Sequence, residues 1–156
     1  MRIAIIQIRG IIGVRKKVKD TLKMLNLHRK NSCSIISSKN KCSLGMLKIV
    51  KDYVTWGEID KETFIGLLSK RGKLPNNTLL TEEYIKQKLN LDFNNFAEEF
   101  MNLKKELKDI PGVKPFFRLK PPVRGFERGG IKKPFSLGGV LGYRKERIND
   151  LIKRML

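Results

Sequence analysis

The feature that most limits what this chain can fold into is a change of hydrophobic period that recurs through its first 57 residues. Arg2 to Ile8 is an isoleucine-rich run of strand length, followed by a turn region holding Gly10 and Gly13. From Arg15 the pattern becomes helical, because Val18, Leu22 and Leu25 recur at intervals of four and three. Lys16, Lys17, Lys19 and Lys23 take the opposite face, and Asn26 suits the stop. Asn31 to Ser37 reads as a second strand, with Cys33, Ile35 and Ile36 as its apolar content. Leu44, Leu47 and Val50 mark a short second helix, and Tyr53 to Trp56 cluster β-branched and aromatic residues into a third strand before Gly57. The order β-α-β-α-β predicts an α+β protein with a small antiparallel sheet. Both helices are expected on one face, leaving the other free.

Beyond that core the chain reads as helical, then irregular. Asp60 is placed to cap a helix bearing Phe64, Leu67 and Leu68 that ends near Gly72. Thr81-Glu82-Glu83-Tyr84 resembles a capped helix start with acidic residues in its first turn. Phe96, Phe100, Leu103 and Leu107 form an amphipathic stripe that Pro111-Gly112 should terminate. From Lys114 to Tyr143 the periodicity disappears, and about thirty residues without structure of their own make sense if a partner orders them. Residues 118–142 are therefore expected to be mobile alone. A last helix closes the chain, with Ile148, Leu151, Ile152 and Met155 on one face and Arg144, Lys145, Arg147, Lys153 and Arg154 supplying charge. The expected division is 1–57, a β-α-β-α-β core; 58–112, a helical extension; and 113–156, a basic extended loop and C-terminal helix.

Charge follows the same boundaries. The chain carries 34 Lys+Arg against 15 Asp+Glu, a net +19. Residues 1–50 hold 12 basic and 1 acidic side chains, residues 51–112 hold 10 and 11, and residues 113–156 hold 12 and 3. Like charges repel in a compact state, so such an excess points to a polyanionic partner whose counterions are released on binding. Two basic ends around a neutral middle suggest two contact surfaces, or one surface built from both ends.

The chemistry of catalysis is not readable here. His28 is the one imidazole, set in the basic turn Leu27-His28-Arg29-Lys30 with no nucleophile beside it. The acidic residues Asp52, Glu58, Asp60 and Glu62 suit caps and solvated faces as well as a metal site. No Walker loop is present, and Gly10 and Gly13 read as turn residues that let backbone approach a ligand. Cys33 and Cys42 are too far apart in sequence, with too few further ligands, to suggest a metal site. Both are expected to be buried thiols in a reducing, cytoplasmic compartment. No cofactor, no metal, no membrane and no small-molecule substrate are expected.

Among polyanions, DNA lacks a readable helix-turn-helix, finger or zipper. A membrane would want larger apolar residues than Val18, Leu22 and Leu25 opposite the charge. RNA fits better. Two candidate surfaces stand out. One comprises Arg9, Arg15, Lys16, Lys17 and Lys19 at the start of the first helix, whose N-terminal N–H groups favour phosphate, with Arg29, Lys30 and Lys41 on adjacent turns. The other runs along Arg118, Lys120, Arg124, Arg128, Lys132 and Lys133. Phe116, Phe117 and Phe126 could stack on unpaired bases, though packing inward is their more ordinary fate. The surrounding Gly and Pro residues would permit an extended path through an RNA crevice.

These segments resemble a known family. Ile5-Ile6-Gln7-Ile8-Arg9-Gly10 followed by Val18 to Leu27 is similar to the strand, turn and first helix of the L-thirty family of large-subunit ribosomal proteins, whose eukaryotic relatives carry the L-seven name. Tyr53-Val54-Thr55-Trp56-Gly57-Glu58 resembles its third-strand signature, Leu67 to Gly72 a segment of its long archaeal forms, and Arg144 to Leu156 their C-terminal helix. Short bacterial members stop near residue 57, so the remainder corresponds to the archaeal and eukaryotic extension. The resemblance implies a fold related to ferredoxin-like sheets and a non-enzymatic role on large-subunit ribosomal RNA, near the 5S RNA region, beside neighbouring ribosomal proteins. A metal-dependent RNA-processing nuclease and a small-molecule regulatory module are the alternatives. The first would need a carboxylate cluster, and the second would not need the charge.

Overall fold

A computed structural model describes residues 1–75, 78–89 and 91–156. The alternating periods of the first segment fold as they read. Strand β1 (Arg2–Gln7) leads to helix α1 (Lys16–Met24), β2 (Ser32–Ser37), α2 (Lys41–Val50) and β3 (Val54–Glu58). β1 lies in the middle and pairs antiparallel with both neighbours, Ile5 opposite Ser34 on one side and Trp56 on the other. Helix α1 ends in a Schellman turn: Asn26 takes φ 59°, and the N–H groups of Asn26 and Leu27 donate to the carbonyls of Lys23 and Leu22. Asparagine tolerates that left-handed conformation better than most residues, which is why it marks the stop.

The remaining helices are α3 (Lys61–Arg71), α4 (Glu82–Leu89), α5 (Phe93–Met101) and α6 (Ile148–Met155). Two short strands extend the sheet: β4 (Phe116–Arg118) antiparallel to β2, and β5 (Gly142–Tyr143) parallel to β3, giving the order β4-β2-β1-β3-β5.

Neither face of this sheet is free. On one face Ile5 and Val54 meet Leu22, Leu25, Leu47 and Val50 of α1 and α2. On the other, Ala4, Ile6, Cys33 and Phe117 are covered by Phe64 and Leu67 of α3, Phe96 and Phe100 of α5, and the whole apolar face of α6. The expectation of an open face fails because β1 puts large apolar residues on both sides. Burying an Ile side chain stabilises by roughly 1.5–3 kcal/mol, so Ile6 and Ile8 draw the later helices onto it. The Phe64 and Phe100 rings lie 4.2 Å apart and nearly parallel, and the Arg2 guanidinium sits 4.0 Å from the Phe100 centroid. Arg2 is buried there, donating to the carbonyls of Phe100 (2.8 Å) and Lys105 (2.6 Å).

Three further expectations change. The stripe from Phe96 to Leu107 is not one helix, because α5 stops at Met101. Leu103 takes φ 62°, and the N–H groups of Leu103 and Lys104 close a second Schellman turn onto Phe100 and Glu99. Cys33 is buried but Cys42, in the first turn of α2, is exposed. Burial pushes the Cys33 thiol up to about 12.

The third concerns the segment 114–143, which carries structure of its own. Phe117 and Leu119 are buried, while Phe116 and Phe126 are partly buried. The Leu119 N–H donates to Asn31, and those of Lys120 and Val123 donate to Met155 and Arg154. Two of its glycines serve close backbone approach, while Gly125, Gly130, Gly138 and Gly142 take left-handed turn conformations. A Cβ on Gly139 would lie 2.1 Å from the Lys133 carbonyl oxygen, and one on Gly129 would lie 2.5 Å from that of Gly138. Arg144 is buried too, not a surface charge: Nε donates to Thr55 Oγ1 (2.9 Å), Nη1 to Glu127 (2.9 Å) and Nη2 to the Val140 carbonyl (3.0 Å).

Candidate nucleic-acid interface

The ion pairs explain which cations are available. Lys61–Glu98, Lys86–Asp92 and Lys105–Glu99 sit within the neutral middle, while Arg144 and Arg154 share Glu127. Among the described residues, none of the fourteen candidate side chains forms an ion pair. Thirteen are exposed and Arg9 is half-buried. A surface that keeps its cations away from carboxylates leaves them to an external anion.

The start of α1 is the most one-sided feature. Arg15 stands at the N-cap, followed by Lys16 and Lys17, with no acidic residue in the first turn and no side-chain cap. The helix dipole makes this its positive end, so each cation there is unfavourable by about 0.3–1 kcal/mol until an anion arrives. Phosphate reverses the sign, because it accepts from free N–H groups and pairs with the lysines. Lys19 projects from the same helix into solvent.

The structure joins the two basic blocks. Arg9 and Lys30 from the first and Lys132 from the second line one groove, floored by Ile8, Tyr53 and Ile131. Arg9 is held in place there. Its guanidinium lies 5.0 Å from the Tyr53 ring centroid, and Nη1 donates to the Asp52 carbonyl at 3.3 Å. Arg29 and Lys30 precede β2, where Arg118 of β4 pairs opposite Ser32, so Arg118 falls beside the same turn. Lys133 follows Lys132, and its carbonyl accepts the N–H groups of Val140 and Leu141 while its side chain stays exposed. Lys120 lies where the strap after β4 meets the end of α6. Arg124 occupies the Pro122–Gly125 turn with φ 65°, and Arg128 is exposed just before Gly129.

Lys41 does not belong with the others. It opens α2 beyond the Ser37 end of β2, which pairs with Arg2, whereas Arg9 and Lys30 lie past the opposite end, where Asn31 bonds Gln7. A six-residue strand separates them by about 20 Å, so these turns are not adjacent. Tyr53, Ile12 and Ile131 also line the groove, and the sequence gives no signal for them because apolar residues near turns read as ordinary packing.

The arrangement is a small α+β scaffold that presents cations free of ion pairs from both basic blocks beside one groove, which is the design of a polyanion-binding protein. Residues 3–54 match the family described as "Ribosomal protein L30p/L7e". Three archaeal proteins named "Large ribosomal subunit protein uL30" match nearly end to end. That of Methanococcus maripaludis is 49% identical over 156 residues, covering 100% of both chains. That of Methanopyrus kandleri is 50% identical over 149 residues, covering 95% of this chain and 99% of its own. That of Nanoarchaeum equitans is 50% identical over 153 residues, covering 98% and 97%. The chain belongs to the uL30 family.

Proposed function

We infer that this protein is a structural, non-enzymatic constituent of the large ribosomal subunit, bound to ribosomal RNA mainly through phosphate contacts and set beside neighbouring ribosomal proteins. The observation that carries the RNA contact is the cation-rich, uncapped start of α1 next to a groove that collects Arg9, Lys30 and Lys132. Phosphates neutralise charges that otherwise repel one another, which supplies affinity without requiring sequence readout. Arg15, Lys16, Lys17, Lys19, Arg29, Arg118, Lys120, Arg124, Arg128 and Lys133 extend this surface, and Lys41 marks a separate contact. The chain divides into a 1–57 RNA-binding core, a 58–112 helical extension and a 113–156 basic loop and C-terminal helix, and we propose that it sits near the 5S RNA region.

Nothing in the fold or among the relatives supports a nuclease or a small-molecule regulatory module. Among the described residues, no three His, Cys, Asp or Glu side chains are grouped to hold a metal ion, and no helix is long and apolar enough to cross a membrane. Sedimentation of extract at low and high salt tests the assignment. The protein should travel with large subunits at low salt and be released as salt rises. A free pool at low salt would contradict it. Hydroxyl-radical footprinting of subunits with and without the protein tests the 5S placement, which fails if no protection changes near that RNA.

A further inference from the structure

We propose that the groove between the two basic blocks takes an unpaired nucleotide of the RNA, so that the protein prefers a distorted or single-stranded site over continuous duplex. This rests on the RNA-binding reading and specifies what that site recognises.

Three observations carry it. The first is Ile12, which is 98% exposed at the tip of the loop between β1 and α1. Gly10 and Gly13 flank it, with nothing within 4 Å of where their Cβ atoms would stand, so the loop stands in open space at the edge of the groove that Ile12 lines. An isoleucine held out in water between Arg9 and Arg15 gains nothing for the fold. A phosphate cannot use it either, but the face of a base can.

The second is the groove behind that tip, about 390 Å³, whose floor of Ile8, Tyr53 and Ile131 is apolar while its rim carries Arg9, Lys30 and Lys132. Base stacked in duplex has no use for an apolar floor beneath a cationic rim. An everted nucleotide matches both parts, the base to the floor and the flanking phosphates to the rim. The third is the Arg9 guanidinium, set 5.0 Å from the Tyr53 ring centroid and bonded to the Asp52 carbonyl. A guanidinium held over a ring before RNA arrives presents a cation and an aromatic face together, with less ordering left for binding to impose.

The test uses the full-length protein and two labelled RNA stems of equal length and charge, one fully paired and one interrupted by an internal loop of unpaired adenosines and uridines. We expect the interrupted stem to bind about tenfold tighter at matched salt. Ile12→Ser should remove most of that preference while changing paired-stem binding less than about twofold, and should leave the salt slope untouched because it removes no charge. Its exposure makes loss of folding a negligible confounder. Lys132→Gln should instead weaken both stems alike and lower the slope by about one. Equal affinity for the two stems, or an Ile12→Ser protein that keeps the full preference, overturns the proposal. In the second case Ile12 serves a protein neighbour. Absence of salt-sensitive binding to either stem would instead sink the broader RNA reading along with it.

Discussion

Replacing Glu127 by Ala should destabilise the fold more than replacing the buried arginine it serves. The Arg144 side chain is 1% exposed, and Glu127 provides its one carboxylate partner among the described residues, at 2.9 and 3.4 Å through two oxygens. Breaking a buried pair by removing one member costs about 3–5 kcal/mol, because the survivor keeps its charge without compensation. Glu127 is 24% exposed, so water can reach part of the vacated space, and Thr55 and Val140 still accept two guanidinium bonds. That reduces the expected loss for Glu127→Ala to about 2–3 kcal/mol. Arg144→Met removes the charge itself, keeps most of the volume against Phe135, and leaves Glu127 beside Arg154, so about 1–2 kcal/mol is expected. The double variant should cost clearly less than the sum. Urea unfolding followed by circular dichroism measures the global change. Trp56 fluorescence reports locally, since Trp56 pairs with Tyr143 one residue before Arg144. The reasoning is refuted if Glu127→Ala is the milder change, or if the two losses simply add.

Burial alone would raise the Glu127 carboxyl, but the Arg144 hydrogen bond, its own backbone N–H and the charges of Arg144 and Arg154 hold it below the usual carboxylate range. Its contribution should therefore be complete above about pH 4.3 and fade as the pH falls through the lower folded value, a loss that acid titration of Glu127→Gln should not show. Arg124→Gly should stabilise the protein by roughly 0.5 kcal/mol, since left-handed backbone strains arginine more than glycine costs in entropy. The same change should lower the salt slope of RNA binding by about one; reduced stability or an unchanged slope would contradict it. Gly139→Ala should cost about 1–3 kcal/mol and speed amide exchange at Val140 and Leu141, whose N–H groups close on Lys133; unchanged exchange would show that this closure is not rigid. Lys41→Gln should leave binding to the groove's RNA unaltered, whereas a combined Lys30→Gln and Lys132→Gln change should reduce the slope by about two.

What could be read from the chain was local. The strands and helices up to Gly57 announced themselves because period two and period 3.6 are properties of neighbouring residues, and Asn26 signalled its turn through its own backbone tolerance. The α6 stripe was legible for the same reason. Leu103 ended α5 without the glycine or proline that would have marked it. The cover over Ala4 and Ile6 comes from helices far along the chain, which no local period encodes. Arg144 read as surface charge because burial depended on Thr55 and Glu127 from two other segments. The cations themselves were visible as types, but their grouping was not: Lys132 meets Arg9 only through the fold, and Lys41 is parted from Lys30 by the length of β2.

The two-sided sheet sets a schedule for biosynthesis. β1 emerges first, yet the helices that roof its Ala4 and Ile6 side are not all present until Met155 has been polymerised. At about 5–20 residues per second, the nascent chain carries that strand incompletely covered for on the order of 5–20 s after β3 appears. During that wait the lysine-rich opening segment repels other newly made copies, so electrostatic repulsion guards the hydrophobic surface until its own lid is made.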